Sequence, residues 1–257
     1  MRALPRRLAY GEEATLVEHL GELRTRIVIC LLGLAVGFAV TYAYRANILH
    51  WLDKPLPRGL DKPLTFSPAE PFITSVWISF WASFLISVPI IFWQVWAFFA
   101  PAIQAHYQRT MALLVGFATL LMAAGVLFGY FVALPAAVHF LTNYDSNLYT
   151  IQIRARDYYA FCMQVLVAVG LVFELPVVIL GLVQFRVLSA ARLRKHWRGG
   201  LALMAVIAVA LPGVDPVTTT LEMLPLMALY GLSIVLAMLL ERRRPAPLSE
   251  AASAGEP

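Results

Sequence analysis

The sequence predicts an all-α integral membrane protein with about six transmembrane helices. Of the 257 residues, 60% are apolar and 14% are charged, whereas a typical soluble domain is about 45–50% apolar and about 25% charged. The mean hydropathy is +0.74. The apolar residues also lie in runs of about the length that crosses a bilayer. Because a soluble fold of this length cannot bury so much apolar surface, lipid must solvate much of it.

Six apolar runs define the predicted helices. The first begins only after a long charged stretch and has no small-residue cleavage site behind it, so we interpret it as a membrane helix and not as a cleaved signal peptide. The second, third and fourth are longer than a bilayer requires and should tilt or bend. The predicted boundaries are 27–44, 72–99, 111–141, 158–185, 199–211 and 221–240. We predict a single integral membrane domain over residues 1–245 and a disordered tail over the Ala-, Pro-, Ser- and Glu-rich residues 246–257.

The fifth run, residues 199–211, is short. A helix of this length reaches about 20 Å at about 1.5 Å per residue, against a hydrocarbon core of about 30 Å. Pro212, Gly213 and Pro216 separate it from the sixth run. We therefore predict a short final helical hairpin with a break at these residues.

Two acidic residues flank the start of the last helix. Asp215 lies in the turn of the hairpin, and we interpret it as a helix cap. Glu222 follows at the beginning of the apolar run, where an acid suits the positive end of the helix dipole.

The distribution of basic residues predicts the orientation. With six spans, one side of the membrane carries fourteen of the 20 Lys and Arg residues, in the N-tail, the second and fourth loops and the C-tail, and the other side carries six. An excess of Lys and Arg marks the cytoplasmic side. The sequence therefore predicts a multi-pass protein of the cytoplasmic (inner) membrane with both ends in the cytoplasm. This topology also accounts for the net charge of +5, so we expect no nucleic-acid partner.

Glu174 is the only acidic residue well inside a long apolar run. A charge at the centre of a transmembrane helix costs roughly 2.5–3.5 kcal/mol on insertion scales, which makes such a residue a functional candidate. Pro176 follows closely and lacks the N–H that a helix carbonyl would normally accept from. Two interpretations stay open: a site of polar recognition or proton movement, and a protonated or paired glutamate that stabilises a bend.

A stripe of small polar residues runs down the second predicted helix. Ser75, Ser79, Ser83 and Ser87 repeat at a spacing of four, which places them on one helix face. In lipid such a stripe allows close helix packing. The alternative is a groove that water can wet.

The flank before the first helix is locally acidic, which is unusual on a cytoplasmic side. It carries Glu12, Glu13, Glu18 and Glu22, with Arg26 four residues after the last of them. One interpretation is a solvated helix face with intrahelical ion pairs. The other is a site for a basic ligand.

Catalytic and metal-binding patterns are missing from the sequence. It has no H-E-x-x-H, no G-x-S-x-G, no P-loop and no G-x-G-x-x-G, and its five histidines do not cluster with Cys30, Cys162 or each other. We predict no enzymatic activity, no cofactor and no metal. A proton-coupled secondary transporter of small solutes that uses Glu174 is the alternative function, although the internal repeat common in that class is not evident.

Five segments, in order along the chain, resemble the motifs of the TatC family, the receptor subunit of the twin-arginine protein translocase. They are His19-Leu20-Gly21-Glu22-Leu23-Arg24-Thr25-Arg26, then Ser67–Phe72, Gln94–Phe98 followed by Pro101, Phe173–Pro176, and Asp215-Pro216-Val217 leading to Pro225 and Leu229-Tyr230. Each motif alone is weak, but all five in order with a helix between each pair are specific. The resemblance extends from about residue 15 to 240 and implies a concave bundle of the TatC type.

The resemblance also implies a function and partners. The family binds folded precursor proteins through signal peptides with two consecutive arginines and assembles with single-span partners of the TatA and TatB types. It draws on the proton-motive force. Membrane lipids and further copies of the chain in a receptor complex are the other implied partners.

The implied sites fall into four groups. Glu22 would accept the arginine pair, since a carboxylate suits bidentate recognition of guanidinium groups. The signal-peptide site implied around it comprises His19, Leu20, Leu23, Arg24, His106, Tyr107 and Arg109. The intramembrane polar residues would be Glu174 and Gln94, the periplasmic cap would be shaped by Pro68, Glu70 and Pro71, and the hairpin that docks partner helices would use Asp215, Pro225 and Tyr230.

Two positions depart from the family pattern. Many members carry a glutamate in the first cytoplasmic loop, six residues after the proline that matches Pro101, and this chain has Tyr107 there. Members often have a glutamate after the tyrosine that matches Tyr230, and this chain has Gly231. Glu18, another acid of the N-tail or a partner subunit would have to supply the missing loop acid.

Overall fold

The computed structural model of the chain describes residues 16–57, 62–99, 108–184, 187–213 and 215–242. Most of this described part is helical, and the one isolated β-bridge found in it joins Leu64 and Arg154. The helices are α1 (Leu16–Ala43), α2 (Arg45–Asp53), α3 (Glu70–Phe99), α4 (Gln108–Phe128), a π-helical turn (Gly129–Ala133), α5 (Leu134–Asn143), α6 (Ala155–Phe173), α7 (Leu175–Gln184), α8 (Ala190–Lys195), α9 (Trp197–Ala210) and α10 (Pro216–Arg242).

Five helical stretches of the described residues are long and apolar enough to cross a bilayer. They are His19–Ala43, Glu70–Phe98, Leu113–Asn143, Ala155–Gln184 and Pro216–Arg242. The apolar helix α9 has only 14 residues, which at about 1.5 Å each reach about 21 Å. The predicted all-α membrane class is confirmed.

The first and last spanning helices extend beyond the apolar runs from which they were predicted. α1 begins at Leu16 and not at 27, because charged residues continue a helix outside lipid as readily as apolar ones do inside it. α10 begins at Pro216 and not at 221, because a proline in the first helical position lacks only an N–H that has no partner within the helix. The predicted tail 246–257 lies outside the described residues.

The serine stripe of α3 packs against α1. Ser79, Ser83 and Ser87 are buried. The Ser83 hydroxyl donates a hydrogen bond to the Leu34 carbonyl at 3.1 Å, and the Ser87 hydroxyl donates to the Gly33 carbonyl at 3.4 Å. Small side chains let the two backbones approach, and the hydroxyls bond across the interface. The serine stripe is therefore a helix-packing surface, as the first interpretation predicts, and not a groove that water can wet.

Glycines set the contact between α4 and α6. A Cβ built on Gly125 would lie 2.8 Å from the Cβ of Phe173 and 3.0 Å from the Cα of Gly170. A Cβ on Gly170 would in turn lie 2.8 Å from the Met122 sulfur. The two helices therefore cross with backbone close to backbone, which requires residues without side chains at the crossing.

The fourth predicted helix, 158–185, is divided at Glu174 into α6 and α7. Glu174 has φ −78° and ψ −7°, and its N–H donates to the Leu171 carbonyl three residues back at 3.1 Å. Pro176, which cannot donate, follows two residues later. This three-residue hydrogen bond, in place of the four-residue bond of an α-helix, ends α6. A new helix, α7, begins at Leu175.

The turn between α9 and α10 has the capping geometry that the sequence predicts. The Thr218 N–H donates to Asp215 Oδ1 at 2.7 Å, so Asp215 caps α10. Gly213 has φ +124°, which glycine adopts without strain. Further along the hairpin, Gly200 of α9 lies directly against the Tyr230 ring of α10, where any Cβ would collide with it. The helices α9 and α10, which the turn connects, are thus in close contact with each other.

Candidate functional site

The acidic flank of α1 lies beside the C-terminal end of α3. The His19 imidazole stacks on the Phe98 ring, with ring centroids 4.4 Å apart. Two turns further along α1, the Arg26 guanidinium donates to the Gln94 side-chain oxygen at 3.2 Å. These contacts fix the start of α1 against α3 and determine where the carboxylate of Glu22 lies.

The carboxylate of Glu22 is half-buried and only partly satisfied. Arg26, four residues along the helix, donates to Glu22 Oε1 from Nε at 3.2 Å and from one terminal nitrogen through a short contact. The other oxygen, Oε2, is buried, and no donor in the described part of the chain reaches it. A buried carboxylate oxygen without a donor is costly in the unliganded protein, so a ligand that supplies an N–H gains by filling it.

The remaining residues implied for this site are distributed differently. Leu20 is 63% exposed, Arg24 is exposed and Leu23 is half-buried. Arg109 lies in the first turn of α4. His106 and Tyr107 lie outside the described residues.

Two glutamates are buried in the bundle interior. Glu174 at the α6–α7 junction and Glu222 on α10 are each 2% exposed. None of their four carboxylate oxygens has a hydrogen-bond partner among the residues that the structure describes. Glu222 also lines a small apolar cavity with Phe128, Phe173 and Leu226. The sequence singled out Glu174, but it treated Glu222 as an acid near a helix terminus and did not anticipate its burial.

Glu70 is the centre of a polar cluster at the opposite end of the bundle. It is 4% exposed and accepts a bidentate pair of bonds from Arg154, Nε to Oε1 at 2.9 Å and a terminal nitrogen to Oε2 at 3.2 Å. The backbone N–H groups of Phe66 and Arg156 donate to the same carboxylate at 3.1 and 3.3 Å. The bonds to Glu70 raise the pKa of the Arg154 guanidinium above its ordinary value.

We call α2 together with residues 62–69 and 144–154 the cap. The bridge between Leu64 and Arg154 joins its two loops. Tyrosines of α6 hold α2 in place: the Tyr158 hydroxyl donates to the Leu52 carbonyl at 2.6 Å, and the Tyr159 hydroxyl donates to Asp53 Oδ1 at 2.7 Å. Pro68 and Pro71 lie on either side of the start of α3 and are exposed. The cap is therefore a hydrogen-bonded lid over the ends of the long helices.

The residues implied for the final hairpin lie along one helix. Asp215 caps α10, Pro225 lies inside it, and Tyr230 is buried against Gly200. Asp215 Oδ2 and the Thr218 hydroxyl are buried and without partners in the described chain. Outward from this packed interface, α9 exposes an apolar face.

The bundle carries polar groups both at one end and in its interior. A partly satisfied carboxylate lies at one end of α1, unpartnered carboxyl groups lie in the interior, and no group of three or more His, Cys, Asp or Glu in the described residues could hold a metal ion. Carboxylates in such places bind cationic or hydrogen-bond-donating groups. The fold and the site together define a multi-pass membrane protein of the transport and receptor class.

Comparison with known proteins identifies the family. The family model for "Sec-independent protein translocase protein (TatC)" matches residues 18–225. TatC proteins of Deinococcus radiodurans and Campylobacter jejuni are each 34% identical to this chain, over 92% of this chain and 92% of the relative in the first case and over 89% and 94% in the second. Two crystal structures of the twin arginine translocase receptor TatC, one of them in the detergent DDM, are each 30% identical, with TM-scores of 0.71 and 0.74, and cover 86% and 85% of this chain and 98% and 99% of theirs. This chain belongs to the TatC family.

Family membership confirms the resemblance found in the sequence. The chain is a Sec-independent protein translocase component and a multi-pass protein of the cytoplasmic membrane. The family is a translocase family and not a family of enzymes. A translocase component is thereby favoured over a transporter of small solutes.

Proposed function

We propose that this chain is the receptor that binds the twin-arginine signal peptides of folded precursors and, with single-span TatA-type and TatB-type partners, exports them by use of the proton-motive force. The observation that carries this proposal is the buried Oε2 of Glu22 near the start of α1, to which none of the described residues donates. The related solved structures, which carry the name of a twin arginine translocase receptor, support the same function.

The surroundings of Glu22 suit an arginine-containing peptide. Arg26 already places one guanidinium on Glu22 Oε1, which supports the suitability of this carboxylate for such a group. Leu20, two residues earlier on α1, is exposed and offers an apolar contact for the residues beside the arginine pair. Arg24 is exposed on the same flank and suits lipid headgroups. We assign His19, Leu23, His106, Tyr107 and Arg109 to the border of this site.

Photocrosslinking from the exposed Leu20 tests this placement while Glu22 stays intact. With the whole translocase in membrane vesicles, a photoreactive residue at position 20 should crosslink to a twin-arginine precursor, and the yield should fall to background with a twin-lysine version of the same precursor. The cap residue Leu148, which is 75% exposed at the other end of the bundle, is the matched position and should give no crosslink. Equal yields from both precursors would contradict arginine recognition on the α1 flank.

Glu174 forms, in this proposal, the polar centre of the membrane face, with Gln94 nearer the receptor end. Both Glu174 oxygens are buried and have no hydrogen-bond partner among the described residues. Replacing the side chain by alanine therefore removes a hydrogen-bonding group without breaking a hydrogen bond of the described structure. We expect Glu174→Ala to weaken precursor binding or assembly with partner subunits, measured by co-purification of the complex and by binding of labelled precursor.

Glu174→Gln is the control for polarity. It keeps the size and hydrogen-bonding capacity of the side chain, so it should retain more assembly than the alanine variant if polar recognition is the role. Full assembly and export by Glu174→Ala would instead favour the interpretation of Glu174 as a residue that stabilises the α6–α7 bend.

The final hairpin is the proposed docking surface for the partner helices. α9 is too short to match the bilayer core, and its Leu203, Val206 and Val209 are 56%, 64% and 71% exposed. A single-span helix can cover this apolar face while Asp215, Pro225 and Tyr230 hold the hairpin in shape. We further propose that both chain ends face the cytoplasm, that residues 1–245 form one membrane domain, that 246–257 form a disordered tail, and that copies of the chain associate in the receptor complex.

A further inference from the structure

We infer that Arg26 is an internal placeholder: its guanidinium occupies Glu22 until an arginine of the signal peptide replaces it. The inference rests on the proposed function and adds a positioning residue to it. It makes peptide binding an exchange of one guanidinium for another, and not the filling of an empty site.

The placeholder uses only half of the carboxylate. Arg26 donates from Nε and from one terminal nitrogen, but both bonds end on Glu22 Oε1. No described group donates to the buried Oε2. An arginine from another chain can approach in the parallel, two-oxygen arrangement that guanidinium and carboxylate favour. Arg26 is attached one turn away on the same helix and, in this structure, does not adopt that arrangement.

Gln94 gives the displaced side chain a second partner. Its side-chain oxygen, on α3, already accepts a bond of 3.2 Å from the other terminal nitrogen of Arg26. The Arg26 and Glu22 side chains are 20% and 19% exposed, so a released guanidinium without an acceptor would be poorly solvated. Because Gln94 keeps one of its bonds, Arg26 can leave Glu22 without losing every partner.

The geometry of the Glu22 carboxylate, and not the exchange itself, favours arginine over lysine in the peptide. An ammonium group is a compact point charge and cannot form the planar two-oxygen pair. A lysine that displaced Arg26 would replace one contact to the carboxylate by another of similar quality. Only a second guanidinium gains the unused oxygen, so arginine binds this carboxylate more tightly than lysine does, whether or not the placeholder is present.

Binding measurements on the whole translocase in membrane vesicles test the inference. The probes are a fluorescent precursor with a twin-arginine signal peptide and its twin-lysine counterpart. Removing the placeholder with Arg26→Gln should tighten binding of the twin-arginine precursor by about two- to fivefold, the range expected for a partly exposed ion pair. Since an internal competitor lowers the apparent affinity of every ligand by the same factor, the twin-lysine precursor should gain equally and the ratio of the two affinities should not change.

Two variants separate this exchange from simpler effects. Arg26→Lys keeps the positive charge but loses the Nε donor, so the placeholder model predicts affinity between wild type and Arg26→Gln, whereas plain charge repulsion predicts affinity equal to wild type. Arg194→Gln removes one positive charge from the exposed helix α8 and should leave affinity unchanged. A structural role alone would lower both the affinity and the thermal unfolding midpoint of Arg26→Gln.

The result that overturns the inference is equal or weaker binding by Arg26→Gln in a folded translocase. The proposed function fails separately: if Glu22→Gln binds the twin-arginine precursor as wild type does, the receptor site is not at Glu22 at all. If Glu22→Gln loses binding but Arg26→Gln does not bind more tightly, the receptor site at Glu22 is supported and the placeholder role of Arg26 is contradicted.

Discussion

Replacing Glu22 by glutamine is expected to bring export of twin-arginine precursors close to background while the protein stays inserted and abundant. Glutamine has the same shape as glutamate, so α1 and its contact with α3 should persist. It lacks the negative charge, and a hydrogen bond to a charged group is worth about 1.5–3 kcal/mol. Precursor binding should therefore weaken by roughly tenfold to more than a hundredfold. Export of a reporter protein to the far side of the membrane, normalised to the amount of inserted chain, measures the effect.

Asp145→Asn is the matched control for Glu22→Gln. Asp145 is exposed at the cap end, with φ +48°, a left-handed conformation that asparagine also tolerates. Asp145→Asn also removes one negative charge by changing an acid to its amide. This variant should export twin-arginine precursors normally. Normal export by Glu22→Gln would make Glu22 a residue of the helix surface and remove the main support for the proposed site.

Introducing leucine at Gly125 is expected to prevent stable folding. The side chain would have to enter the α4–α6 crossing, where even a Cβ meets Phe173 at 2.8 Å and the Gly170 backbone at 3.0 Å. Overpacking of this kind costs about 1–3 kcal/mol or more, and a backbone neighbour cannot rotate away as a side chain can. We expect low amounts of inserted protein, and a clearly lower thermal unfolding midpoint in detergent for the fraction that is recovered.

Gly116 on the same helix provides the comparison. No atom of the described chain lies within 4 Å of a Cβ built there, and the residue is exposed. Gly116→Leu should therefore accumulate normally. Should Gly125→Leu not accumulate at all, Gly125→Ala gives a measurable midpoint: alanine favours a helix over glycine by about 0.5–1 kcal/mol, so a midpoint below wild type can only come from the clash. Equal midpoints for Gly125→Ala and Gly116→Ala would contradict the close crossing.

Features that depend on local spacing could be predicted from the sequence. The serines of α3 repeat every four residues and therefore share a helix face, whatever the rest of the fold does. Asp215 caps α10 because a short acid beside Pro216 satisfies the first N–H groups of the helix. The shortness of α9 follows from the number of apolar residues between its flanking charges and the Pro-Gly break.

Features that depend on distant partners could not be predicted in the same way. The pairing of Glu22 with Arg26 is within reach of helical spacing, but the participation of Gln94, 68 residues from Arg26, depends on how α3 packs on α1. Glu222 looked like an acid at a helix terminus, yet α10 begins earlier and turns this residue into the bundle. Hydropathy measures which residues tolerate lipid. It does not measure where a helix begins, which explains the early start of α1.

The pairing of Glu70 with Arg154 has a consequence for biogenesis. The two residues are 84 positions apart in the chain, and between them the polypeptide leaves this face of the membrane through α3 and comes back through α4 and α5. During synthesis Glu70 emerges first, and its partner Arg154 reaches the same face only when the return crossing is complete. The Glu70–Arg154 pair of the cap can therefore form only after the chain has crossed the bilayer twice more. A chain halted before Arg154 would carry a Glu70 carboxylate without the guanidinium that binds it in the finished fold.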